Sequence, residues 1–150
     1  MPQSLVKNYV HIVFSTKNRA GLIDKSIAAE LYAYLAGTCR NLESWPVEIG
    51  GHANHVHVLC LLSRKIALMK LVEELKSHSS GWIKTKGLNY RNFYWQNGYG
   101  GFSVNPKRIE VVQRYILNQE KHHRRRTFKD EYRGFMKEYN MEYDERYVWD

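Results

Sequence analysis

The chain has 150 residues, 43% of them hydrophobic, with 23 Lys and Arg against 15 Asp and Glu and a formal charge of +8. That length fits one domain over residues 1–150, and the basic balance points to a polyanionic partner, nucleic acid first. Two cysteines among apolar neighbours, Cys39 and Cys60, exclude a disulfide framework, and neither a signal-like start nor an apolar run near the ~18 residues of a membrane span is present, so the sequence reads as a soluble cytoplasmic protein.

Tyr9–Ser15 is rich in β-branched and aromatic residues and predicts a strand. It runs into a basic loop in which Lys17 and Arg19 are candidate phosphate contacts. From Asp24, a candidate N-cap, Ile27, Leu31, Leu35 and Leu42 recur at helical spacing and predict a helix to about Asn41. Trp45–Ile49 predicts a short second strand, and Gly50-Gly51 a turn into a third strand, His55–Leu62. Alternation sends Val56, Val58, Cys60 and Leu62 to the core and sets His55 and His57 side by side on the opposite face. By the same parity His52 faces away from His55.

Ser63 is the candidate N-cap of a second helix, whose buried stripe is Leu68, Val72, Leu75, Ser79 and Trp82. Residues 93–104 read as strand, glycine-rich turn, strand, with Trp95 and Phe102 as core and other aromatics able to stack on unpaired bases. Asn105-Pro106 announces a third helix, with Ile109, Val112 and Ile116 buried and Tyr115 and Gln119 four apart on a neighbouring face. It ends near His122-His123-Arg124-Arg125-Arg126, the densest positive charge in the chain, where Arg124, Arg125 and Arg126 are candidate DNA contacts. Thr127 to Asp130 has a capping-box pattern, and Phe128, Tyr132, Phe135 and Tyr139 continue as a last short helix. The acidic, aromatic tail from Met141 is expected to pack back onto the domain or a partner subunit. This order of elements predicts an α+β fold, a ferredoxin-like split βαβ sandwich with an antiparallel sheet, helices on one face, C-terminal helices, and the other face free for a site.

Phosphodiester cleavage needs a cation against the phosphate, ligands to hold it and a nucleophile within reach. His55 and His57 offer nitrogens, Gln119 an amide oxygen and Tyr115 a phenol. His55-Val56-His57, the Trp95–Tyr99 segment and Tyr115–Gln119 after a proline-started helix, with the ending Glu142–Trp149, together resemble the single-tyrosine HUH transposases of bacterial insertion sequences, a group that includes REP-associated tyrosine transposases. The resemblance implies that His55, His57 and Gln119 hold Mg²⁺ or Mn²⁺ and that Tyr115 is the nucleophile. It implies a DNA transposase and endonuclease that cleaves and rejoins single-stranded DNA at hairpin-marked ends through a 5′-phosphotyrosine. It also implies a homodimer, in which the tyrosine helix of one subunit can complete the histidine site of the other. Because bond energy is conserved, no nucleotide cofactor is needed. Asn54 stands where an acidic or other polar residue is expected in many relatives. The alternatives are a non-catalytic module binding single-stranded DNA or RNA, and a domesticated HUH nuclease acting on repeated palindromes.

Overall fold

The computed structural model describes residues 2–150. Four strands, β1 (Asn8–Ser15), β2 (Trp45–His52), β3 (His55–Leu62) and β4 (Gly100–Ser103), form one sheet in the order β2-β3-β1-β4 with every neighbouring pair antiparallel. Helices α1 (Lys25–Asn41) and α2 (Leu68–Ile83) complete a βαββαβ order, the ferredoxin-like sandwich that the sequence predicts.

Period two decides the layers. Val10, Ile12 and Phe14 of β1 and Val56, Val58 and Cys60 of β3 point to one side, where they meet Ile27, Leu31, Leu35 and Cys39 of α1 and Leu71, Val72 and Leu75 of α2. Each fully buried aliphatic side chain there contributes about 1.5–3 kcal/mol relative to exposure. Both cysteines are buried free thiols in this layer.

The other face is not open. Three further helices, α3 (Ile109–Leu117), α4 (Gln119–His122) and α5 (Phe128–Glu138), follow β4. Ile116 packs with Leu59 and Val104, and Phe128 packs with Val13 and Phe102. Apolar residues such as Leu59 and Val13 on that face demand a cover, which the C-terminal helices supply. The sheet therefore carries helices on both faces, and its histidines lie between layers.

Several local expectations shift. β2 extends three residues further than predicted, and the hairpin turns at Ala53-Asn54 rather than at Gly50-Gly51. The glycines serve close approach instead: a Cβ on Gly51 would lie 2.2 Å from the His55 carbonyl oxygen, and one on Gly50 would lie 3.0 Å from Ile116. As a result His52 pairs directly opposite His55 and shares its face, because parity counted along one strand does not survive a turn. Ser63 does not cap α2, which begins at Leu68 after Ala67; its hydroxyl instead accepts from the Lys65 amide in the preceding turn at 3.1 Å. Asp24 precedes α1 without a side-chain cap and accepts a hydrogen bond from the Tyr90 hydroxyl at 2.7 Å.

Of the expected strand, turn and strand over 93–104 only β4 is a strand, and residues 96–98 form a loop in which the carbonyls of Gln96, Asn97 and Gly98 accept from the Lys76 ammonium at 2.6, 3.0 and 2.8 Å. Trp95 makes only an isolated bridge to Thr16, while Trp95 and Phe102 are core. Asn105 caps as predicted, accepting from the Lys107 amide at 2.9 Å, and Thr127 caps α5 by accepting from the Asp130 amide at 3.2 Å. The tail folds back on its own domain: Arg19 donates to the Trp149 carbonyl at 3.0 Å, and Gln96 donates to the Val148 carbonyl at 3.2 Å.

Candidate functional site

β3 presents His55 and His57 to the second helical layer, and both are fully buried. Opposite them α5 brings in Glu131, 1% exposed and held in place by the packing of its neighbours Phe128 and Phe135. The Glu131 carboxylate joins the whole site. Its Oε1 lies 3.1 Å from His57 Nε2 and 3.3 Å from His55 Nε2. Its Oε2 accepts from the Tyr115 hydroxyl and, at 3.0 Å, from the Gln119 amide.

α3 ends at Leu117, so Gln119 opens the separate helix α4 rather than sitting one turn beyond Tyr115 on a continuous helix. Both side chains still converge on Glu131. Gln119 Oε1 lies 2.9 Å from His55 Nε2 and 3.0 Å from His123 Nε2, and Tyr115 stacks on His122 at 4.7 Å. All of these groups belong to one chain.

Burial governs the charge states. It pushes His55 down to about 4, against the pull of Glu131, so this imidazole is neutral at physiological pH. His11, buried against His57, is likewise held well below the ordinary imidazole value by burial first and by His57 second. Burial also raises the Glu131 carboxyl, but the close approach of His123, His55 and His57 outweighs it and keeps the group ionised. Burial and then the Glu131 charge push the Tyr115 phenol up, so it keeps its proton at rest.

His55, His57 and Glu131 each offer one ligand atom, all within 4.8 Å of one another. A test of whether a cation suits them comes from His55. Its Nδ1 lies 2.8 Å from Asn54 Oδ1, and that amide is oriented by its Nδ2 donating to the Arg19 carbonyl at 3.4 Å. Acceptor oxygens stand at both ring nitrogens, Asn54 at Nδ1 and Gln119 and Glu131 at Nε2, and a neutral His55 has a single proton to give; placed on Nδ1, it is donated to Asn54. The Nε2 lone pair then faces the oxygens of Gln119 and Glu131. Lone pairs aimed at one another repel, and a divalent cation among them satisfies all at once, so the donor set fits a metal of mixed N/O preference.

Each residue singled out from the sequence has a definite place. His55, His57, Gln119 and Tyr115 come together; Arg126 donates to the Tyr115 hydroxyl at 3.0 Å. Arg124 and Arg125 are exposed nearby, and Arg125 and Arg126 line an open cavity of about 470 Å³ with Asn118, Lys121 and His122. Lys17 is exposed, whereas Arg19 is half-buried beneath the tail, its guanidinium 5.9 Å from the Trp149 ring. His52 stacks on His123 at 5.2 Å and lies outside the ligand group. A second cavity of about 300 Å³, between α3 and α5, reaches Tyr115 and Glu131 from solvent, with Arg108 and Arg126 among its lining residues. Glu131, His123 and His11 were not singled out by sequence reasoning. For Glu131 the signal is its spacing, three residues after Phe128 and four before Phe135, on the apolar stripe of α5.

The family described as Transposase IS200 like matches residues 4–119. No curated protein matches. Among solved structures, the chain resembles a putative transposase from Deinococcus radiodurans at 20% identity and TM-score 0.62, covering 79% of this chain and 98% of that one. It also resembles a REP-associated tyrosine transposase bound to a REP hairpin, at 15% identity and TM-score 0.59, covering 82% of this chain and 73% of that one. The match across the His55–His57 strand and through to Gln119 shows that the chain belongs to the IS200-like, single-tyrosine HUH transposases.

Proposed function

We propose that this transposase cleaves and rejoins single-stranded DNA at hairpin-marked ends, with Tyr115 as the nucleophile, Mg²⁺ or Mn²⁺ as cofactor, and a 5′-phosphotyrosine as the intermediate. The observation that carries the reading is the bridging carboxylate: one oxygen of Glu131 faces the two histidine nitrogens, and the other accepts the Tyr115 hydrogen bond. Metal-ligand and nucleophile chemistry are thereby joined in a single side chain.

His55, His57, Gln119 and Glu131 are the residues that would hold the ion. Bound there, it would supply positive charge to offset the negative charge that develops on the scissile phosphate. The remaining chemistry lies with the chain. The phenol is too weakly acidic to ionise unaided, so its proton leaves as its oxygen bonds to phosphorus, and the acceptor in contact is Glu131 Oε2. The P–O3′ bond breaks, the 3′ oxygen departs as a hydroxyl after taking up a proton, and the 5′ phosphate stays on Tyr115. Arg126, donating to the Tyr115 oxygen, is placed to meet a phosphate oxygen that arrives there. Rejoining reverses the exchange when another 3′-hydroxyl attacks the phosphotyrosine.

The cavity between α3 and α5 supplies the approach to Tyr115, and the basic cavity beside His122 supplies the phosphate contacts of a strand leaving it. The shared fold with a transposase bound to a REP hairpin supports a hairpin as the mark on the substrate. Incubation with a hairpin oligonucleotide and Mn²⁺ is expected to give a protein–DNA adduct stable to denaturing electrophoresis, absent in Tyr115→Phe and in EDTA. An adduct of equal yield from Tyr115→Phe would remove Tyr115 from its role, and one indifferent to EDTA would remove the metal.

A further inference from the structure

We propose that Asn54 and His11 are positioning residues: they occupy the Nδ1 sides of His55 and His57, so that both Nε2 atoms are left facing the Glu131 carboxylate. The inference rests on the metal-site reading above, and it assigns work to two residues that touch neither substrate nor ion.

The two imidazoles are held in parallel ways. His55 Nδ1 lies 2.8 Å from Asn54 Oδ1, and His57 Nδ1 lies 2.8 Å from His11 Nε2. On the other side of each ring, Nε2 lies 3.3 and 3.1 Å respectively from the same oxygen of Glu131. An imidazole with a fixed partner on one nitrogen has its tautomer and ring angle set, and outer partners of this kind typically change metal affinity by about 10–100-fold when removed.

Both partners are themselves immobilised. The Asn54 backbone carbonyl accepts from the Thr16 amide at 2.9 Å, and its side-chain amide donates to the Arg19 carbonyl at 3.4 Å. That loop holds its shape with Asn18 and Arg19 at φ 57° and 56°, an unusual pair of left-handed residues in succession. The loop after β1, basic in sequence, thus doubles as the brace behind His55. His11 is 3% exposed, stacked on His57 at 5.0 Å and closed in edgewise by Phe135 at 5.3 Å. On β1 its neighbours Val10 and Ile12 turn into the opposite core, which leaves His11 on the histidine face of the sheet.

The test has two readouts that do not use DNA cleavage. In the first, ¹⁵N imidazole spectra of the metal-free parent protein at neutral pH are expected to show His55 protonated at Nδ1 and bare at Nε2. A His55 proton resident on Nε2 would overturn the assignment of Asn54. In the second, Mn²⁺ binding is followed by the EPR signal of the free ion, with thermal unfolding as the control for folding. Asn54→Leu and His11→Phe, which remove the acceptors, are expected to weaken Mn²⁺ about 10–100-fold. Asn54→Asp and His11→Gln, which restore an acceptor, are expected to return affinity to within a few-fold of the parent. Folded Leu and Phe variants that bind Mn²⁺ like the parent would overturn the proposal, and so would failure of both restoring variants when they fold normally. Should the parent itself bind no Mn²⁺, the metal reading fails, while the His55 spectrum still decides whether Asn54 orients that ring.

Discussion

Replacing Glu131 by Gln tests the site at its centre, because the amide keeps the shape of the side chain and removes its charge. The carboxylate has two oxygens at work: Oε1 faces His57 and His55 at 3.1 and 3.3 Å, while Oε2 accepts from Tyr115 and Gln119. An amide has one acceptor oxygen and a donor nitrogen. Turned with its nitrogen to the Nε2 atoms of His55 and His57 and its oxygen to Tyr115 and Gln119, it can pair with both sets, so what is lost is the charge, worth about 1 kcal/mol beyond neutral hydrogen bonds. For a chain of this size roughly 2–4 °C is lost per kcal/mol, so the unfolding midpoint should fall by about 2–4 °C in metal-free buffer. The effect on Mn²⁺ should be larger. Loss of a charged ligand exceeds the roughly 10–100-fold that an outer partner costs, and adduct formation with a hairpin oligonucleotide should vanish with it. Scanning calorimetry, EPR titration of Mn²⁺ and the adduct gel together separate these effects. A folded Glu131→Gln protein that binds Mn²⁺ and forms adduct as the parent does would refute the reasoning, since the carboxylate would then be only a structural anchor.

Gly51→Ala should destabilise by about 1–3 kcal/mol and weaken Mn²⁺ binding as well, because the new Cβ meets the His55 backbone 2.2 Å away and must push β3 aside. Gly81→Ala on the exposed side of α2 is its control: nothing lies within 4 Å, and the helix should gain about 1 kcal/mol, read by urea unfolding. Stability in EDTA should fall as the solution is acidified from about pH 6.5 towards 4. His55 stays neutral in the fold down to about 4 while the unfolded chain takes up a proton from 6.5, a difference worth about 3 kcal/mol once complete; a His55→Asn protein that shows the same slope would discard this account. Arg126→Ala, at an exposed position, should leave the unfolding midpoint within about 0.5 kcal/mol of parent yet slow adduct formation, since only the contact to the Tyr115 hydroxyl is lost. An unchanged single-turnover rate would show that the contact is idle.

What the sequence made legible follows from which signals are local. Alternation along one strand put His55 and His57 on a common face, and helical spacing put Tyr115 and Gln119 near one another; both relations hold although α3 breaks between the latter two. Relations across a turn or between layers were not legible. Parity along the strand sets His52 on the wrong face because Gly50-Gly51 looks like a turn and is a tightly packed strand, and the expectation of a free sheet face fails because no local pattern shows which helices cross over to cover it.

Glu131 is the instructive case, for it is one of 15 acids and lies beside Asp130, which fits the capping pattern. Yet it sits on the stripe between Phe128 and Phe135, where an acid is almost never buried without partners. His11 is similar, lying between the core residues Val10 and Ile12 and next along its face to Val13, which is also buried. A polar residue that keeps its place in an apolar period must have been given a partner by some distant element, because burying it alone costs more than a single contact returns. His11 on β1 and Glu131 on α5 both reach His57, from opposite sides of the same ring. Such an exception says that a partner exists, but the packing of the layers decides which element supplies it, so neither residue can be matched to the other along the chain.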